Sequence, residues 1–556
     1  MNIVKKYFLL ALIFMSFTLI VHAQPSAVQR TTKAVFTLNT YNADGSLLAS
    51  THGFFIHNDG TAISQWSPFV GAARAEAIDA DGRKHAVECI CGANELYNLA
   101  KFRVSGQVTT AKLADESKSS GTQAWVIGST DRKTETQKAN IVSTEKFMDK
   151  YTYYIVGALS GDMSGCPMVN STGEVMALVQ QSKTGADYHA TSARFAADLR
   201  APALSSNDPT LRQTAIRIDL PEDHQEALLS LLLAASQSDS TKYAETIEAF
   251  IKKFPNAPDG YYSRAEAETN AARFTDAARD MEKAISCAER KDEAHFSYAR
   301  LIYRKELYMT DYPFSEWSLD KARQEAQQAY NINPLPVYRH LMAQIDYSQG
   351  NTQQALDVFT ELTHTPLRNA ELYYEIAQCR QRLGAPQAQI IEMLDSAISI
   401  CKDNEAASYY LARAVLFDEA GEYRRAVQDY NRYDTLLVLS GQLPSPQFYY
   451  QREQCELNGK LYQQALEDIS RAVVLAPSEP LYLAEKASLL LRVNRKEEAL
   501  TAARQCVAIA PQYAEARLLL GIALVQNNQK KDGLAELQKA MELGNEQAKS
   551  LIEKYK

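Results

Sequence analysis

The chain has 556 residues, more than one hydrophobic core organises, so a single-domain reading is excluded and two or more domains are expected. Apolar residues at 46% and charged residues at 23% are ordinary for globular protein. A net charge of −8 argues against a nucleic-acid or anionic-membrane partner.

The first residues read as a signal peptide over 1–23. Lys5 and Lys6 precede an apolar run from Tyr7 to Val21, about 15 residues and short for a membrane span. Val21-His-Ala23 offers small residues before a cleavage ahead of Gln24. No cysteine follows that site and no later run is apolar enough to cross a bilayer. The expectation is an exported, periplasmic or cell-envelope protein that is soluble after cleavage.

Residues 24–200 read as all-β. Strand-like runs fall at Ala34–Tyr41, Leu47–His57, Thr61–Trp66, Arg74–Ala80, Lys84–Ile90, Leu96–Val104, Gln123–Gly128, Tyr151–Gly157, Val175–Gln180 and Tyr188–Phe195. Asp44-Gly45 and Asn58-Asp-Gly60 are turn signals between them. Short strands punctuated this way point to a barrel or sandwich, and two six-stranded barrels need about this many. His85, Cys89 and Cys91 can share a strand face, but two thiols and one imidazole lack a fourth ligand, so no metal is expected. No cofactor is expected either.

Ser160-Gly-Asp-Met-Ser-Gly-Cys-Pro-Met-Val-Asn170, ahead of the apolar run Val175–Val179, resembles the nucleophile loop of trypsin-like serine proteases. On that resemblance Ser164 takes the place of the nucleophile, Cys166 that of a second glycine, and Pro167 matches. Gly53-Phe-Phe-Ile followed by Asn58-Asp-Gly60 resembles a hairpin of the same family. The resemblance places the general-base histidine at Ser67 and the orienting aspartate at Asn98, in Asn98-Leu-Ala100. A serine hydroxyl is a weak nucleophile unless a positioned base takes its proton, and a neutral amide does not stabilise an imidazolium. Asp162 falls where the family places a glycine whose N–H faces the oxyanion, and a carboxylate there opposes the developing charge. His52, His57 and His189 read as surface or loop histidines. The domain is therefore expected to have lost catalysis, with Ser164 a vestigial nucleophile.

Residues 201–220, with Ala-Pro-Ala-Leu-Ser-Ser-Asn-Asp-Pro, read as a linker. From 221 to 556 the texture becomes helical with a 34-residue period: Pro477 and Pro511, Ala465 and Ala499, and Ala472, Cys506 and Ala540 stand at that spacing. Gly350-Asn-Thr-Gln-Gln-Ala355 and Gly421-Glu-Tyr-Arg-Arg-Ala426 repeat one device, an inter-helix turn followed by a small residue. This resembles the tetratricopeptide repeat, with about nine copies starting near 224, 258, 292, 336, 370, 407, 446, 480 and 514. Small residues let paired helices approach, and Tyr261, Tyr373, Tyr410 and Tyr449 fill the gaps between units. Cys379, Cys455 and Cys506 sit at repeat positions and read as small buried residues, so no disulfide framework is expected. The inner face is expected to present Tyr262, Glu266, His340, Gln344, Tyr347, Tyr374, Gln378, Tyr450 and Gln454, which suits an extended peptide or protein loop.

The fold expected is an all-β trypsin-like double β-barrel followed by an all-α superhelical solenoid of tetratricopeptide repeats. The function expected is an exported protein-binding scaffold, a pseudoprotease with an interaction array. An active serine endopeptidase using Ser164, with repeats recruiting substrate, is the alternative, and a structural subunit of an envelope assembly a second one.

Overall fold

The computed structural model describes residues 25–115, 123–130, 133–182, 188–237, 239–402 and 405–556. The signal-peptide expectation at 1–23 lies outside the described residues. Among those residues, no helix is long and apolar enough to cross a membrane.

Six strands close into an antiparallel barrel: β1 (Val35–Tyr41), β2 (Leu47–Phe55), β3 (Thr61–Ser64), β4 (Arg74–Ile78), β5 (Lys84–Asn94) and β6 (Leu99–Val104), in the order β1-β2-β3-β6-β5-β4. Seven more form an antiparallel sheet: β7 (Ala124–Thr130), β8 (Lys133–Ala139), β9 (Ile141–Phe147), β10 (Tyr151–Val156), β11 (Pro167–Asn170), β12 (Val175–Gln181) and β13 (Tyr188–Ser192). Their order is β8-β7-β11-β12-β13-β10-β9. Where two six-stranded barrels were expected, the second partner is thus a seven-stranded sheet without hydrogen-bonded closure among the described residues. Phe36, Phe55, Phe69 and Phe102 fill the barrel. Val126, Tyr154, Met168 and Val179 line one core of the sheet. Phe54, Ile63, Trp125 and Leu178 join the two in a third cluster.

The stretch read as a linker is bound to the barrel. Leu211 and Ile216 are buried in the barrel core. Backbone bonds run from Gly71 N to Gln213 O (2.7 Å), from Ala215 N to Ala72 O (2.9 Å) and from Ile90 N to Arg217 O (2.8 Å). Asp219 N returns to Ile90 O at 2.8 Å. The polar and proline-containing composition masks two apolar anchors that a hinge would not need.

Helical pairs follow, their first helices beginning at His224, Pro258, Lys291, Pro336, Ala370, Ala407, Pro446, Pro480 and Ala514. Gln547–Tyr555 adds a final helix. The chain divides into two compact units, one ending at Ala288 and the other beginning at Glu289. In the pairs beginning at Pro258, Ala407 and Pro446, an arginine in the first helix grips an aspartate sixteen residues later in the second. Arg264 Nε lies 2.7 Å from Asp280, Arg413 Nε 2.7 Å from Asp429 and Arg452 Nε 2.5 Å from Asp468, and each guanidinium makes a second bond to the same carboxylate. Such planar, two-point pairs fix the helices of a repeat more specifically than apolar contact alone.

Candidate functional site

The serine turn is held by its backbone. Gly161 and Gly165 both take positive φ, +73° and +81°. Gly165 N donates to Val179 O at 2.8 Å, and Val179 N to Cys166 O at 2.9 Å, which ties the turn to β12. Met163 and Cys166, on either side, are buried in the sheet core. Burial pushes the Cys166 thiol pKa up. Tyr188 Oη donates to Gly161 O at 2.8 Å, and Gln137 Nε2 to Ser160 O at 2.6 Å.

Ser164 is half-buried. Its backbone N–H donates to Asp162 Oδ1 at 2.9 Å, an aspartate turn closing over one residue. Its carbonyl faces β2: the Thr51 hydroxyl reaches that oxygen at 3.3 Å and Gln65 Oε1 at 2.9 Å. His52 Nδ1 lies 3.2 Å from the same carbonyl. A carbonyl only accepts, so this contact puts a proton on Nδ1.

Ser67 and Asn98 meet as well. The amide nitrogen of Ser67 donates to Asn98 Oδ1 at 2.7 Å, and Trp66 N donates to Asn98 O at 3.2 Å. Asn98 adopts φ +49°, a left-handed conformation that asparagine tolerates better than most residues. Gln180, buried on β12, donates from Nε2 to Tyr97 O at 2.8 Å. The two groups are linked through the end of β3, where Ser64 Oγ donates to His52 O at 2.5 Å and Gln65 accepts from Thr51.

Of the other histidines, His57 is exposed on the turn after β2, and His189 is stacked on Tyr153 with ring centroids 5.4 Å apart. Burial lowers the His189 pKa. His85 bonds Asp79 Oδ2 at 3.0 Å and Ser105 O at 2.9 Å, away from Cys89 and Cys91, so the three do not form one ligand set. Sequence reasoning missed Thr51, Gln65 and Gln180, because an ordinary polar residue on a strand carries no signal of its partner. The bond from Ser164 N to Asp162 has the spacing of an aspartate turn.

The groove candidates Tyr262, His340, Gln344, Tyr347, Tyr374, Gln378, Tyr450 and Gln454 are all half-buried, and Glu266 is exposed. Several already bridge successive first helices. His340 Nε2 and Gln344 Nε2 meet the two oxygens of Glu375 at 2.6 and 2.7 Å. Burial works against the charged ring, but the bond to Glu375 carries the His340 pKa above its ordinary value. Tyr374 packs on Tyr409 with centroids 5.2 Å apart, and Tyr450 on Tyr482 at 5.5 Å. Gln454 Nε2 donates to Glu453 at 2.8 Å, and the Arg382 guanidinium lies over Tyr347 at 5.1 Å. The ladder is therefore charged in places, as at Glu375 between His340 and Gln344.

Comparison with known proteins agrees with this geometry. A family model for the trypsin-like peptidase domain matches residues 51–178, which include Thr51, Ser67, Asn98 and Ser164. A tetratricopeptide repeat model matches residues 484–548. Over 200 residues the chain is 24% identical to the BBSome complex member bbs-4 of Caenorhabditis elegans, which covers 35% of this chain and 42% of the relative. The chain thus spans about two fifths of the length of that curated relative. The protein carries a trypsin-like peptidase domain in its β-rich part, followed by an all-α array of tetratricopeptide type.

Proposed function

We propose that this protein is a binding scaffold in which a protease-fold domain without peptidase activity accompanies a peptide-binding repeat array, exported and working in the cell envelope. The observation that carries the reading is a pair of bonds, one in the serine turn and one between Ser67 and Asn98. Asp162 occupies the Ser164 amide, one of the donors an acyl-transfer site aims at its oxyanion. Asn98 spends its side-chain oxygen on the Ser67 backbone. A base and an oxyanion site act as a unit with the nucleophile, so both deficits suppress turnover by orders of magnitude. Tyrosines and amides along successive first helices supply the contact surface. Membership in a complex, which the name of the similar worm protein states, fits either a scaffold or a structural subunit of an assembly.

The endopeptidase reading has one observation in its favour, the His52 ring beside Ser164. One experiment addresses both readings. The mature protein is treated with a fluorophosphonate probe, and a displayed peptide library is selected on it. Scaffold function predicts no labelling, together with enriched peptides whose binding falls at least tenfold in Tyr374→Ala/Tyr450→Ala. Labelling that disappears in Ser164→Ala and in His52→Ala establishes the endopeptidase. No enrichment and no labelling leaves the structural-subunit reading in their place.

A further inference from the structure

Among the described residues outside the serine turn, one cluster gathers nucleophilic side chains. Residues i and i+2 of a strand share a face, and β5 carries Cys89 and Cys91 at that spacing. Register shifts interrupt its pairing with β6 between Val87 and Cys89 and again between Ile90 and Gly92. Such bulges bend a strand and bring alternate side chains closer than regular pleating does. Ile90, between the two cysteines, points into the barrel core. The thiols face the other way, toward the 217–219 segment that pairs with Ile90.

There the two Sγ atoms and an Asp219 oxygen all lie within 4.8 Å of one another. Cys91 Sγ is 4.0 Å from Asp219 Oδ2. Cys89 is fully buried, whereas Cys91 is half-buried and lines a cavity of about 240 Å³ together with Asp219, Lys101 and Arg103.

Three donors at this spacing resemble a metal site, but the charges oppose it. The Asp219 oxygen that faces Cys91 already binds two cations, Arg103 Nη2 at 3.0 Å and Lys253 Nζ at 3.3 Å. Arg217 Nη1 stands 4.0 Å from the other oxygen. A divalent ion inserted here would sit against all three. The same cations favour a thiolate. A hydrogen bond from Cys91, aided by Arg217 and Arg103, lowers the Cys89 pKa against its burial, while the same bond, burial and Asp219 push the Cys91 thiol up, so the pair shares one proton with the thiolate at Cys89.

We propose that Cys89 and Cys91 are a thiol–disulfide exchange pair that takes a small organic disulfide through the cavity beside Asp219. Cys91, which lines the cavity, passes its proton to Cys89 across their hydrogen bond and attacks the disulfide RSSR, whose S–S bond breaks, giving Cys91–S–S–R and one thiolate RS⁻, which takes the proton from Cys89. The Cys89 thiolate then attacks the Cys91 sulfur and displaces the second RS⁻. The pair's proton ends on the first RSH and the second RS⁻ takes its proton from water, so the pair is oxidised by two electrons and RSSR is reduced by two. A cross-link within one strand is strained, which makes it readily reducible and the exchange reversible.

The test uses the full mature protein equilibrated in 2-mercaptoethanol and its disulfide at graded ratios. The samples are quenched in acid, denatured, alkylated and digested with trypsin. The peptide 85–101, which holds both cysteines, should appear two hydrogens lighter and unalkylated in oxidising buffer, and revert in reducing buffer. Cys166, buried alone, should stay alkylatable throughout. Cys91→Ser should abolish the oxidised peptide and leave Cys89 free. The proposal fails if both cysteines alkylate at every ratio, or if mercaptoethanol stays on Cys91 without ring closure. It also fails if one zinc per chain co-purifies and is lost in Cys91→Ser.

Discussion

At the scale of single residues, the serine turn separates two glycines that look alike in sequence. Both Gly161 and Gly165 adopt left-handed backbone, so any side chain adds strain of about 1 kcal/mol at either. Their surroundings differ. A Cβ at Gly165 would stand 2.4 Å from His52 O and 2.7 Å from Thr51 Oγ1, whereas one at Gly161 would meet nothing within 4 Å. The carbonyl belongs to β2, paired on both sides with β1 and β3, and has little freedom to retreat. Gly165→Ala is therefore expected to destabilise the protein by about 2–4 kcal/mol and Gly161→Ala by about 1 kcal/mol, read from chemical denaturation of the β-rich part. Equal losses at the two positions would show that backbone strain alone governs the turn. Gly165 is thus needed for close approach, whether or not Ser164 has any chemistry left.

Among elements, legibility follows how each one is buried. Strands with one face in a core, such as β1 and β6, alternate and were found within a few residues. Strand β9 is not legible in the sequence because five of its seven residues are exposed, so its Ser-Thr-Glu-Lys run carries no apolar period. Strand β11 is illegible for another reason: it is four residues long, mostly buried and directly follows Cys166, so its sequence merges with the serine loop. In the helical part the period located every pair, yet the Arg–Asp grips at sixteen-residue spacing escaped notice, since charged residues on helices ordinarily face water. The helix Pro446–Asn458 holds a stronger exception. Glu453 and Glu456 are 0% and 2% exposed, and each leaves one oxygen without a partner. Burial raises their pKa to about 7 and about 8. Below the unfolded value near 4.5 both states hold these protons. As pH rises the unfolded chain ionises first, so the stability of the protonated pair is lost progressively up to about pH 8. Glu453→Gln and Glu456→Gln should each stabilise the array by about 1–2 kcal/mol at pH 8.5, with a clearly smaller gain at pH 5. A gain independent of pH would mean that the carboxyls are ionised in the folded array at both values.

For the whole molecule, composition suggested a boundary at the polar stretch 201–220, whereas packing argues for a later one. That stretch supplies Leu211 and Ile216 to the barrel core and binds β5 through Arg217 and Asp219. The attachment continues into the first helical pair. Lys253, at the end of Ser240–Lys253, reaches Asp219 Oδ2 at 3.3 Å and Leu220 O at 2.6 Å, and Ser230 Oγ donates to Ala203 O at 2.8 Å. A chain ended at residue 205 leaves the barrel without two apolar anchors and exposes the backbone of Ile90, a loss of several kcal/mol from a marginally stable fold. Ending at Ala288 keeps all of these contacts and follows the division into compact units. Domain boundaries are best placed where few contacts cross. Fragments 24–288 and 289–556 are therefore expected to be soluble and to melt cooperatively, while 24–205 should melt at least 10 °C lower than 24–288 or aggregate. The comparison is made by calorimetry on the purified fragments. If 24–205 melts at the same temperature as 24–288, the 201–220 segment is a tether after all. Its bonds to Gly71, Ala72 and Ile90 then contribute nothing that water does not replace.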